Sequence, residues 1–152
     1  LDRLLTVQPG GPRPARRAVT LAGRTDFPMH FLVSAAIAAE AGSPLADAVG
    51  LHKEIEDARG GSGFSFSDVG ANRAGTRFGE AAVQSPRRAR ELAQAVAAGV
   101  AEADLMPDVS DLPEFIADFE FRRRFGGVDG AGYEKLIATI EQRIDALPLL
   151  RR

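Results

Sequence analysis

At 152 residues and 16.1 kDa the chain has the length of one domain, enough to remove well over half of its unfolded surface from water. Its 45% hydrophobic and 26% charged residues exclude a disordered chain, which lacks the apolar residues needed to offset ordering entropy. A formal charge of −2, from 19 basic and 21 acidic residues, excludes a global field that would recruit nucleic acid or an anionic membrane surface, so no nucleic-acid partner is expected.

Apart from Lys53 and Lys135 the basic residues are all Arg, a bias that reads more readily as coding preference than as a demand for bidentate anion contacts. Cysteine is absent, which removes disulfides, thiolate metal sites and cysteine nucleophiles. No apolar run approaches the ~20 residues of a membrane helix, and the N-terminus has no signal-peptide pattern. The start at Leu1 rather than Met predicts a fragment or a processed form, with any export signal or anchor in the missing part.

Residues 1–28 read as an irregular arm, rich in Pro and Gly around Pro9 and Pro14, pinned to the domain by Val19, Leu21 and Phe27. A short extended piece is expected at 18–22. Residues 29–41 are almost entirely apolar or small, which predicts a central helix surrounded by others. Gly42 stops it, and Ser43-Pro44 supplies an N-cap and a proline at the first helical position. The second helix runs to about Arg59, with Leu45, Ala48, Val49, His52 and Ile55 as its inward apolar stripe.

Gly60, Gly61, Ser62 and Gly63 break the pattern, and Phe64-Ser65-Phe66 alternates before Ser67 caps a third helix that runs to about Val83. Within it Gly75 and Gly79 stand four apart, so another backbone can approach that stripe, which also carries Asp68 and Asn72. Ser85-Pro86 opens a fourth helix whose Ala93, Val96 and Ala97 are expected to face inward. An acidic loop with Asp104, Asp108 and Asp111 leads to a helix at 114–125, and a last helix at 132–146 carries the stripe Leu136, Ile137, Ile140, Ile144 and Leu147. The fold class that follows is all-α: a compact multi-helix bundle over 29–147, at most a short β pair, and a tail at 148–152.

One constellation rises above this framework. Glu54 and Asp57 lie three apart on a helix, Lys53 is beside them, Asp68 enters from the next helix, and His30 sits on the apolar helix before. Closure of the helices through Gly50, Gly75 and Gly79 would confine these groups, and confinement separates carboxylate pKa values into an acid and a base. The plainer reading is a solvated charged face, with Asp68 as a helix-start charge and His30 as a buried, hydrogen-bonded histidine. His52 reads as a packing residue.

No established ligand spacing is present: His52 and Glu56 do not make a His-Glu-x-x-His helix, and the loop near Asp108 lacks the calcium-hand spacing. The glycines at 60–63 follow a helix and lack Lys-Ser/Thr, so a helix-terminal turn explains them better than a phosphate loop. Ser62 lacks the Gly-x-Ser-x-Gly spacing of a nucleophile elbow. No cofactor and no resident metal are expected.

The run Asp26-x-x-x-His30-Phe31 with Ser34-Ala35, then Lys53-Glu54-x-x-Asp57, then Gly61-Ser62-Gly63-Phe64-Ser65-x-x-Asp68, resembles a family of uncharacterised bacterial envelope proteins of the YfiM-like lipoprotein type. The likeness covers about residues 26–79. It departs at Phe27, where that family tends to have Lys, and in helices that are less membrane-like. The resemblance implies no activity; it implies a periplasmic or envelope location and a recurrent pattern mapped here onto His30, Lys53, Glu54, Asp57 and Asp68.

Three functions are therefore expected in order. The first is a non-catalytic helical module of an envelope-associated protein, its polar cluster of His30, Lys53, Asn72 and Arg73 holding helices together and its surface binding an envelope partner. The second is a glycan hydrolase acting on peptidoglycan, with Glu54 as general acid and Asp57 or Asp68 as base or electrostatic stabiliser, by analogy with a lysozyme-like carboxylate pair. The third is a metal-assisted hydrolase built on His30 with the same carboxylates.

Overall fold

The structure, a computed structural model, describes residues 18–151. Among them are seven helices and no strand: α1 (Phe27–Ala41), α2 (Ser43–Gly60), α3 (Phe66–Gln84), α4 (Pro86–Ala98), α5 (Glu102–Leu105), α6 (Asp118–Phe125) and α7 (Ala131–Asp145). The all-α bundle expected from periodicity is present. Outside the helices, pairing is confined to the isolated bridges Leu21–Arg24 and Phe64–Ile116. The expected contribution of Pro9 and Pro14 to the arm lies outside the described residues.

Local chemistry sets the helix starts. Asp26 caps α1 by accepting from the Phe27 N–H at 3.0 Å, and Pro28 follows in the first turn. Ser85 caps α4 in the same way from Arg88 N–H, with Pro86 next. The cap of α3 is Ser65 rather than the expected Ser67: Ser65 Oγ accepts from Asp68 N–H at 3.1 Å, leaving Ser67 free to donate to Val109 O. Ser43 is the first residue of α2 and makes no side-chain cap; Gly42, at φ +87°, turns the chain there.

Packing centres on α3, which corrects the expectation of a central α1. Gly75 and Gly79 give the reason. A Cβ built at Gly75 would stand 2.1 Å from Phe31 O, and one at Gly79 2.2 Å from Ala35 O, so α1 lies directly against the bare stripe of α3. On the opposite side of α1, Met29 and Leu32 are 68% and 62% exposed.

The aromatic core adjoins the C-terminal elements. Phe64 stacks on Phe121 at 4.2 Å between centroids, and Phe66 and Tyr133 complete the group. Ile140, Ile144, Leu147 and Leu150 close it from α7 and the residues beyond, with Leu136 and Ile137 partly buried against it. The stripe expected on the last helix is therefore inward, and Leu150 packs into the core instead of trailing as a tail.

Several local expectations do not hold. Residues 18–20 are irregular and 21–24 make a turn bridged at Leu21 and Arg24, rather than a strand, and Val19 is exposed while Leu21 and Phe27 are buried. The helix expected from 114 begins at 118, because Phe64 and Ile116 exchange backbone hydrogen bonds of 2.8 and 3.0 Å that hold the segment extended. On α4 only Leu92 is buried, and Ala93, Val96 and Ala97 face outward.

The largest reversal is in α2. Its apolar stripe of Leu45, Ala48, Val49 and His52 is exposed, and its buried face consists of Ala46, Gly50, Glu54 and Ala58. Small residues decide this orientation. A Cβ at Gly50 would be 3.1 Å from Asn72 Nδ2, so α2 is seated on α3 through its least bulky side.

Candidate functional site

The inward side of α2, the N-terminal halves of α1 and α3, and the segments before α1 and α6 enclose one ionic cluster. Its deepest member is Glu54, with 0% of its surface exposed. Glu54 Oε2 accepts the backbone N–H of Ser65 at 3.2 Å, a donor available because Ser65 has the extended backbone of a helix N-cap. Lys53 Nζ stands 3.4 Å from Glu54 Oε1 and 2.6 Å from Asp57 Oδ2, with half of its own side chain in solvent. Burial, reinforced by the negative charge of Asp68 and only partly offset by Lys53, pushes the Glu54 carboxyl up to about 7.

His30 is 8% exposed and held from both sides. Its Nδ1 donates to Asn72 Oδ1 at 3.1 Å, an oxygen that also accepts from Ser34 Oγ at 3.2 Å. Its Nε2 faces Asp68 Oδ2 at 3.4 Å. Burial raises the pKa of Asp68, opposed by His30 and Arg24. Arg24 closes the cluster from the turn before α1: Nε donates to Asp26 Oδ1 at 2.9 Å, Nη2 reaches Asp68 Oδ1 at 3.3 Å, and Nη1 pairs with Glu114. This guanidinium holds the Asp26 carboxyl below the usual carboxylate range.

The geometry thus brings together His30, Lys53, Glu54, Asp57, Asp68 and Asn72, as the spacing suggests. Arg73 is elsewhere: its Nη1 pairs with Asp47 at 3.0 Å and Glu141 at 3.2 Å on the side of α3 that meets α7. His52 is exposed and packs no core. Sequence reasoning does not find Arg24 or Glu114. Arg24 sits in an arginine-bearing arm with nothing to distinguish it from its neighbours, and Glu114 is 90 residues away from it in sequence.

Chemically, the arrangement offers a carboxyl near neutrality in a sealed position, a histidine–aspartate contact, and two members that reach solvent, Asp26 with 45% and Lys53 with 50% of the side chain exposed. One oxygen or nitrogen from each of Asp26, His30 and Asp68 lies within 4.8 Å of the others. No helix of the described residues is long and apolar enough to cross a membrane. No family model, curated protein or solved structure matches the chain.

Proposed function

We propose that this chain is a non-catalytic helical module of a bacterial envelope-associated protein, in which the ionic cluster fastens α1, α2 and α3 together and the outward apolar stripes of α1 and α2 receive a partner. The observation that carries this reading is the orientation of α2, with Glu54 inside and Leu45, Ala48 and Val49 outside. Met29, Leu32 and Val33 of α1 add further exposed apolar surface. Apolar groups gathered on an outer face while a carboxyl is buried within point to a surface completed by association. The resemblance of residues 26–79 to envelope proteins is what supports an envelope location.

A photo-crosslinking residue placed at position 32 or 49 of the protein in bacterial envelopes is expected to give an adduct, while the same residue at Arg90 on α4 gives none. Absence of adducts at both 32 and 49, or equal adducts at all three positions, defeats the proposal.

A hydrolytic reading draws on one specific observation, the Glu54 carboxyl held to about 7 beside the Asp68 carboxylate, a pair suited to acid and base duties. Against it stands the complete burial of Glu54, which keeps a glycan oxygen out of hydrogen-bond reach. Under the module reading, Glu54→Gln and Asp68→Asn leave peptidoglycan turnover at the background of a chain-free control, where the wild type also lies. Turnover by the wild type that Glu54→Gln abolishes reverses the ranking.

A further inference from the structure

We propose that Asp26, His30 and Asp68 form a binding site for one divalent metal ion of the zinc class, a site that Arg24 fills with its guanidinium when the metal is absent. The inference goes beyond the module reading and does not depend on it.

The His30 imidazole is the starting point. Asn72 Oδ1 can only accept, so the Nδ1 facing it carries the hydrogen, and in the neutral ring Nε2 carries a lone pair. What faces that lone pair is another acceptor, Asp68 Oδ2, at 3.4 Å. Two acceptors aimed at each other inside a protein require something electrophilic between them, a proton or a cation. The separation favours a cation: two ligands of a tetrahedral ion with bonds of ~2.0 to 2.1 Å stand ~3.4 Å apart. The outer hydrogen bond from Nδ1 to Asn72, itself anchored by Ser34, is the kind of support that fixes the tautomer and direction of a ligating histidine.

Asp26 supplies the third ligand. Its Oδ1 is engaged by Phe27 N–H and Arg24 Nε, while Oδ2 lies toward Arg24 Nη2. The atoms of the three residues fall within 4.8 Å of one another, so a modest rotation of the half-exposed Asp26 side chain completes a three-ligand set with its fourth position toward solvent. One nitrogen and two carboxylate oxygens suit zinc better than magnesium or calcium, which prefer all-oxygen shells.

Charge balance points the same way. Asp26, Asp57, Asp68 and Glu114 gather around the cations Arg24 and Lys53, leaving excess negative charge for an added cation to neutralise. Arg24 is the competitor, since its Nη2 contacts both Asp26 and Asp68. Rotation of the Arg24 side chain alone vacates the two carboxylates, while Leu21 stays in the core and Ala22 N–H stays on Glu102.

The test is titration of the chelator-treated full chain with zinc or cobalt(II), followed by calorimetry, cobalt absorbance and the ring ¹⁵N resonances of His30. One ion per chain is expected, with the Nε2 resonance of His30 displaced. His30→Gln and Asp68→Asn are expected to weaken binding by about tenfold or more, and Arg24→Gln to tighten it by removing the competing cation. His52→Gln, remote on the exposed face of α2, leaves affinity unchanged. An unmoved Nε2 resonance at saturating zinc overturns the proposal in the wild-type chain alone, whatever the variants do to folding. So do loss of binding in His52→Gln and weakened binding in a folded Arg24→Gln.

Discussion

Gly75→Ala is expected to destabilise the chain by about 3 kcal/mol, the upper part of the range for an overpacked interior site. Helix propensity alone predicts the opposite sign, because alanine in a helix interior is favoured over glycine by up to ~1 kcal/mol. Geometry decides between the two. The new methyl would meet Phe31 O at 2.1 Å and the Phe31 carbonyl carbon and Cα at 2.8 Å, and none of these belongs to a side chain able to swing away. Only separation of α1 from α3 makes room, and that separation loosens the contacts of His30 and Ser34 with Asn72 as well. Gly60→Ala is the matched comparison: nothing lies within 4 Å of its added carbon, so stability is expected to be equal or higher by a few tenths of a kcal/mol. Urea unfolding of both variants measures the contrast, and a Gly75→Ala midpoint equal to that of the wild type refutes the close approach.

Glu54→Gln is expected to alter how stability depends on pH. The carboxyl of Glu54 has a value of 4.5 in an open chain and about 7 in the fold, so in the native state the proton is retained to higher pH. Between those limits the folded chain binds more protons than the unfolded one, and stability falls as pH rises. The contribution is fully present below 4.5 and gone above about 7, a difference of roughly 3 kcal/mol. Glutamine keeps the shape and an oxygen for Ser65 N–H but has no such titration. At pH 8 the variant is therefore expected to be more stable than the wild type, and at pH 4 about equal to it. Asp68, also raised by burial, contributes a slope of the same sign that remains in the variant. Urea midpoints at pH 4 and 8 give the comparison; a variant less stable than wild type at pH 8 means that Lys53 and Ser65 hold the ionised carboxylate more tightly than burial penalises it.

Helices α1 to α4 and the approach at Gly75 and Gly79 were legible because they rest on local chemistry, namely glycine stops, the Ser85-Pro86 start and small residues at helical spacing, whereas α5 lies in the expected acidic loop. The orientation of α2 was not. An apolar stripe at Leu45, Ala48, Val49 and His52 is the ordinary signature of an inward face, yet Ala46, Gly50 and Ala58 offer the flatter surface and bring Glu54 within reach of a backbone donor. Periodicity ranks faces by transfer free energy and contains nothing about how closely two backbones can meet. The ionic cluster was half legible for a related reason. Lys53, Glu54, Asp57 and Asp68 are neighbours across one turn, whereas Arg24 and Glu114 join them only through the tertiary fold. Arg73 follows Asn72 in the chain, but one step along a helix rotates the side chain by ~100°, toward Asp47 and Glu141 and away from the cluster.

The Phe64–Ile116 bridge has a consequence for the newly made chain. Translation proceeds at ~5 to 20 residues per second, so several seconds separate the appearance of Phe64 from that of Phe121 and Tyr133 at the ribosome. During that interval Phe64 and Phe66 are without the aromatic partners that Phe121 and Tyr133 later supply. Synthesis of the residues from Phe121 onward is therefore what covers Phe64 and Phe66.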